Sequence, residues 1–143
     1  MVNGFSVIMP TYNQAYFICR AVMSLIRQSY PQWELIIVND GSTDATDRII
    51  GDLPQDERIK YLHYSDNRGM GYALNKGLDA ARYGYIAYLP SDDFFYADHL
   101  KDLKQAFEAD ERVVLVYSGL NFDDTDAYAP RDNTDSLTMM SGH

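Results

Sequence analysis

Short β-rich runs alternate with helix-patterned stretches from the N-terminus to about residue 118. Phe5 to Met9 is an apolar run halted by Pro10, and Thr11, Tyr12 and Asn13 follow as a loop. Phe17, Ile18, Ala21, Val22, Leu25 and Ile26 then recur at helical spacing until Ser29, with Pro31 just beyond. The unit repeats. Trp33 to Val38 is a second apolar run that ends in Asn39, Asp40 and Gly41, and a helix starts near Ser42 or Thr43 with Ile49, Ile50 and Leu53 on its apolar side. A third run, Ile59 to Tyr64, leads through the polar, glycine-rich loop Ser65 to Gly71 into a helical pattern over Tyr72 to Arg82. A fourth, Tyr85 to Leu89, breaks at Pro90. Leu100, Leu103 and Phe107 mark a further helix, and Val113 to Tyr117 is the last strong strand. Parallel strands need crossover connections, which these helices supply, so the pattern predicts a Rossmann-like α/β domain with a mainly parallel sheet flanked by helices. That domain spans 1–120. From Asn121 onward turn formers replace periodicity, and 121–143 reads as a loop or partly disordered tail.

In such a sheet all strands deliver their C-terminal ends to one rim, where open α/β folds bind ligands. The rim segments here are Pro10 to Asn13, Asn39 to Gly41, Ser65 to Gly71 and Pro90 to Asp93. They offer an aromatic plane in Tyr12, an acceptor in Asp40, a cation in Arg68 and an acidic pair in Asp92 and Asp93. Adjacent carboxylates repel, and a hard divalent ion completed by substrate phosphates relieves them. Together these are the parts a nucleoside diphosphate needs: a stack for the base, an acceptor for a base N–H and neutralisation for the pyrophosphate. Each residue also has a purely structural reading. Tyr12 can be packing, Asp40 a turn or helix-capping residue, Arg68 a solvated loop residue and the acidic pair a helix-capping turn. Gly69 and Gly71 read as backbone geometry, because the P-loop spacing and its Lys-Ser/Thr are absent.

Composition narrows the classes. Across 143 residues the formal net charge is −9, which argues against nucleic-acid partners and anionic membrane surfaces. Hydrophobic residues make up 46%, enough for one domain with a sizeable core. No apolar run approaches the roughly 18 residues of a transmembrane segment, and the first residues lack a signal-peptide pattern, so the expected compartment is the cytoplasm. Cys19 is the single cysteine, which excludes an intrachain disulfide; it lies among helix-patterned residues and reads as a packing side chain. Asp123, Asp124 and Asp126 resemble the start of a calcium loop, but the required glycine and terminal glutamate are missing.

Four stretches in consistent order carry a resemblance: S-V-I-M-P-T-Y-N at Ser6 to Asn13, S-Y-P-Q-W-E-L-I-I-V-N-D-G-S-T-D at Ser29 to Asp44, N-R-G-M-G-Y-A-L-N-K-G at Asn67 to Gly77, and Y-I-A-Y-L-P-S-D-D at Tyr85 to Asp93. The chain resembles the N-terminal, nucleotide-binding part of the family 2 glycosyltransferases, which have the GT-A fold. The resemblance implies a glycosyltransferase that inverts at the anomeric carbon, with a nucleotide-diphosphate sugar donor, UDP-linked, and a divalent metal, Mn²⁺ or Mg²⁺. It implies that Pro10 and Tyr12 lie on the nucleobase, that Asp40 accepts from the base edge, and that Asn67 and Arg68 approach the sugar-diphosphate region. Asp93 would be the direct metal ligand, and Asp92 would share the metal or reach the ribose or sugar. Ala73, Asn75 and Gly77 would pack and cap. Two departures stand out: Pro90 and Ser91 replace the earlier members of the acidic motif, and Asn39 replaces a frequent Asp. The family's catalytic base lies well after the metal motif, so it is expected beyond His143. The acceptor, a saccharide or lipid-linked saccharide, would be chosen by that later part, which in a full-length protein could work peripherally at the inner face of a membrane. The alternative reading is a nucleotide-sugar binding module without transferase activity.

Overall fold

A computed structural model of the chain describes residues 3–120 and the backbone of 138–141. The chain divides into two compact units, one of Met1–Arg27 with Pro31–Phe95 and one of Gln28–Tyr30 with Tyr96–His143. The first holds β1 (Phe5–Thr11), α1 (Ile18–Ile26), β2 (Trp33–Asp40), α2 (Thr46–Gly51), β3 (Ile59–Tyr64), α3 (Met70–Ala80) and β4 (Tyr85–Tyr88). The second holds α4 (His99–Ala109), β5 (Val113–Tyr117) and β6 (Thr138–Ser141).

The four strands of the first unit form one parallel sheet in the order β3-β2-β1-β4. Every residue of β1 and β2 is buried, so both faces of the central strands are covered, as a parallel sheet with crossover helices requires. The wholly buried Phe5, Val7, Met9, Trp33, Leu35 and Ile37 supply much of the core. On α1, Ile18, Ala21, Val22 and Leu25 share one buried face. On the α3 side, Ala73 packs with Ile36 and Val38, bordered by Leu62 and Tyr64. That helix sits close to the sheet because residue 77 is glycine: a β-carbon there would collide with Ile8 Cγ2.

Pro10 does not end β1 as the sequence suggests, since the strand continues through Thr11 and Pro10 pairs in register with Val38. The reason lies in the direction of the backbone groups. Leu89 N donates to Ile8 O (3.1 Å), so Ile8 and, two residues on, Pro10 turn their polar groups toward the β4 side. Pairing with β4 stops at that point, and the missing N–H of Pro10 costs the β2 ladder nothing.

At the opposite end of the strands Glu34 is fully buried yet well served. Its carboxylate accepts from Ser6 Oγ (2.7 Å), Arg82 N (2.7 Å), Arg82 Nε (2.8 Å) and Lys60 Nζ (3.1 Å). Burial alone would push this carboxyl up, but the hydrogen bonds from Ser6, Arg82 and Lys60 hold it down to about 2. One side chain thereby ties β1, β2, β3 and the segment entering β4 together.

Three expectations change. The strand at Val113–Tyr117 forms, but it pairs antiparallel with β6 instead of joining the parallel sheet. Val114 is 70% exposed and Leu115 51%, so this apolar run is not the buried parallel strand that its composition suggests. Its partner, Thr138–Ser141, lies inside the segment expected to be loop, and a four-residue strand is too short to show a period. The proposed calcium-loop residues Asp123, Asp124 and Asp126 lie outside the described residues. The parallel sheet lies within the unit that ends at Phe95. Cys19 is exposed on α1 and does not pack in the core. Among the described residues no helix is long and apolar enough to cross a membrane.

Candidate nucleotide-sugar site

Chain order runs outward from β1 to β2 to β3 and then jumps back to β4 on the other side of β1. The switch point of the sheet, where open α/β folds bind ligands, therefore lies between the ends of β1 and β4. A cavity of about 300 Å³ lies there. The end of β1 contributes Pro10, Thr11 and Tyr12, and the end of β4 contributes Tyr88, Pro90, Ser91 and Asp92. Asp40, Asn67, Gly69 and Ala73 supply the wall from β2 and the start of α3.

The β1 loop is fixed from outside. Asn13 adopts a left-handed conformation (φ 53°), which asparagine tolerates better than most residues. Its Oδ1 accepts from the amides of Thr43 (2.7 Å) and Asp44 (3.2 Å), and its own amide donates to Ser42 Oγ (2.9 Å). Gln14 N donates to Thr46 Oγ1 (2.9 Å). The loops after β1 and β2 are thus laced together, and Tyr12, 44% exposed, stands at the mouth of the cavity on a braced backbone. Thr11 is 3% exposed and its Oγ1 has no hydrogen-bond partner, an unusual state for a buried hydroxyl and one that a ligand could resolve.

Asp40 caps a helix and also lines the cavity. It ends β2 nearly buried, lines the cavity, and accepts from Arg68 N (3.0 Å) and Gly69 N (2.7 Å) at the start of α3. Those amides are unsatisfied groups of a helix N-terminus, so the carboxylate caps α3 from another strand. Gly41 makes this approach possible: its φ is +75°, and a β-carbon would lie 2.6 Å from Asn67 N. Asn67 lines the cavity and accepts from Gly69 N (3.0 Å). Arg68 is brought near by its backbone alone. Its guanidinium lies 5.0 Å from the Tyr72 ring centre and donates to Tyr72 Oη (3.4 Å), away from the cavity wall.

Beyond β4 the chain turns, with Asp93 N donating to Pro90 O (3.1 Å) and Ser91 Oγ to Pro10 O (3.4 Å). Asp92 lines the cavity and Asp93 follows it, both exposed. Partial desolvation and then the neighbouring Asp92 charge push the Asp93 carboxyl up, while the cation of Arg20 opposes them. Among the described residues no three His, Cys, Asp or Glu side chains converge as a metal cage. A pair of adjacent carboxylates, one of them raised, instead fits a divalent ion that is held jointly with phosphate oxygens. Sequence reasoning overlooked Arg20, which only the helix packing brings to this turn, and Thr11, whose orphaned hydroxyl has no sequence signal.

The fold is that of the GT-A glycosyltransferases. S. aureus TarS in complex with UDP-GlcNAc matches it with a TM-score of 0.71 at 31% identity, over 77% of this chain and 33% of that one. The chain belongs to glycosyl transferase family 2, whose family model matches residues 6–141. A mannosyltransferase, PcManGT from Pyrobaculum calidifontis in complex with GDP-Man and Mn²⁺, matches with a TM-score of 0.63 at 28% identity, over 76% of this chain and 33% of that one. In sequence, an uncharacterized glycosyltransferase of Haemophilus influenzae is 34% identical over 145 residues, covering 96% of this chain and 57% of that protein. Glycosyltransferase GlyG of Streptococcus pneumoniae is 31% identical over 127 residues, covering 88% of this chain and 42% of GlyG. The chain therefore spans little more than half of the first of these relatives and less than half of the second.

Proposed function

We propose that this chain binds a UDP-sugar and forms the donor half of an inverting glycosyltransferase. The observation that carries the reading is the cavity at the switch point, with Tyr12, Asp40 and Asp92 on its walls and Asp93 beside it. In this reading the Tyr12 ring stacks on the uracil, flanked by Pro10, and the remaining lone pair of Asp40 accepts from the base edge. The orphaned Thr11 hydroxyl and the Asn67 amide turn toward the donor. Asp92 and Asp93 face the diphosphate, Asp93 as the direct ligand of Mn²⁺ or Mg²⁺ and Asp92 beside it or on the ribose. Arg68 reaches the diphosphate only by leaving Tyr72, a side-chain rotation with no backbone change. The chemistry that a divalent ion supplies there when bound is neutralisation of charge on the departing nucleoside diphosphate. The chain's own residues hold and orient the donor, leaving the anomeric carbon open to an acceptor hydroxyl whose proton goes to a carboxylate outside the described residues. Support for UDP comes from TarS, solved with UDP and with UDP-GlcNAc, and support for the metal from PcManGT, solved with Mn²⁺.

Backbone NMR of the chain with UDP and Mg²⁺ tests the reading. Amide shifts concentrated at Thr11, Tyr12, Asn67, Gly69 and Asp92 are expected. Shifts absent from these positions at millimolar UDP would remove the donor site. Donor binding without hydrolysis or transfer, by any longer form of the protein, would favour a binding module over an enzyme.

A further inference from the structure

We propose that Arg20 is a positioning residue for the acidic turn. It fixes Asp92 and Asp93 by their backbone and leaves both carboxylates free for the ligand. This rests on the donor-site reading above. Arg20 sits one turn into α1, directly after the loop that presents Tyr12, and reaches the loop beyond β4, 72 residues away in sequence. There its Nη2 donates to the main-chain carbonyl of Asp92 (3.1 Å). The guanidinium carbon lies 5.0 Å from the ring centre of Phe94 and 5.9 Å from that of Phe17, so aromatic faces from both elements orient it.

The choice of acceptor carries the argument. A half-buried arginine beside two carboxylates ordinarily forms a forked ion pair with one of them. Among the described ion pairs neither Asp92 nor Asp93 is engaged, and Arg20 holds a carbonyl instead. Its Nε is buried and makes no hydrogen bond, and the acceptor that the guanidinium does take is the main-chain carbonyl of Asp92. An ion pair would have consumed the ligand atoms. A carbonyl contact orders the same turn without consuming them, and the nearby positive charge lessens the repulsion between the two acids while no ligand is present. The arrangement also couples the two ends of the site. The α1 helix follows the nucleobase loop and grips the diphosphate turn, adding a side-chain tie to those that β1 and β4 already make between Tyr12 and Asp92.

The test is a calorimetric titration of UDP in Mn²⁺ and in EDTA, with free Mn²⁺ followed in parallel by electron paramagnetic resonance. It compares the unmodified chain with Arg20→Met, Arg20→Lys and Phe94→Leu. Arg20→Met is expected to lose about tenfold of the affinity gained on adding Mn²⁺, the size of one charge-assisted hydrogen bond, while UDP binding in EDTA stays within about twofold. Arg20→Lys, which keeps a charge and a donor, should recover part of that loss. Phe94→Leu should move the same increment in the same direction by a smaller factor, and it supplies the test if Arg20→Met fails to fold. An unchanged Mn²⁺ increment in these variants, or equal losses with and without metal, would overturn the assignment. Absence of UDP binding by the unmodified chain in both conditions would instead remove the donor site, and the assignment of Arg20 with it.

Discussion

The carboxylate of Asp40, at the end of β2, is 2.7 Å from the amide of Gly69, the residue that leads into α3. The contact fixes the start of that helix to the sheet and sets the floor of the cavity. Asp40→Asn should therefore do two things. It leaves only one accepting oxygen for the amides of Arg68 and Gly69, so denaturant unfolding should show a loss of about 1–3 kcal/mol. It should also weaken UDP binding more than a surface substitution of equal destabilisation does.

Gly41 shows how closely the loops after β2 and β3 meet. Gly41→Ala places a β-carbon against Asn67 N and Asp66 C and forces an alanine to φ +75°. A loss of at least about 1–2 kcal/mol is expected from the left-handed backbone alone. Displacement of Asn67 should appear as altered amide shifts at 66–69.

Stability should depend on acid through Glu34. Its carboxyl is held at about 2 against an ordinary value of 4.5, so the stabilisation is present above the unfolded value and is lost as pH falls through the folded one. The contribution is on the order of 3 kcal/mol at neutral pH. Glu34→Gln should destabilise the chain at pH 7 and flatten the stability profile between about pH 5 and pH 2.

Asp93 has the opposite sign. Its carboxyl is pushed up by partial desolvation and by Asp92, so its ionised form opposes folding at neutral pH and protonation relieves the repulsion. Asp93→Asn should raise the melting temperature of the ligand-free chain slightly and abolish the Mn²⁺ dependence of UDP binding. A fall in melting temperature together with retained Mn²⁺ dependence would assign the metal elsewhere.

The alternation of periods was enough to place β1 to β4, because apolar runs such as Trp33 to Val38 and Phe5 to Met9 are buried on both faces and carry little ambiguity. Once a parallel sheet is granted, Tyr12, Asp40, Asn67 and Asp92 must reach one rim, and they do line one cavity. What was not legible depends on packing between distant segments. Val113 to Tyr117 has the composition of a buried strand but pairs with four residues that show no pattern of their own. Arg68 sits in the loop beside Asn67, yet its guanidinium is engaged by Tyr72 one helical turn later. Arg20 looks like an ordinary helix residue, and only the return of the chain after β4 gives it an acceptor.

The central claim, a donor site built by Tyr12 and Asp40 at the end of the sheet, is tested most directly by titrating UDP into the chain in Mn²⁺ and repeating the titration with Tyr12→Ala. Saturable binding of one UDP per chain, weakened about tenfold or more in the variant by loss of the base stack, is the predicted result. Binding of equal strength in Tyr12→Ala, or no binding of UDP by the unmodified chain, would contradict it.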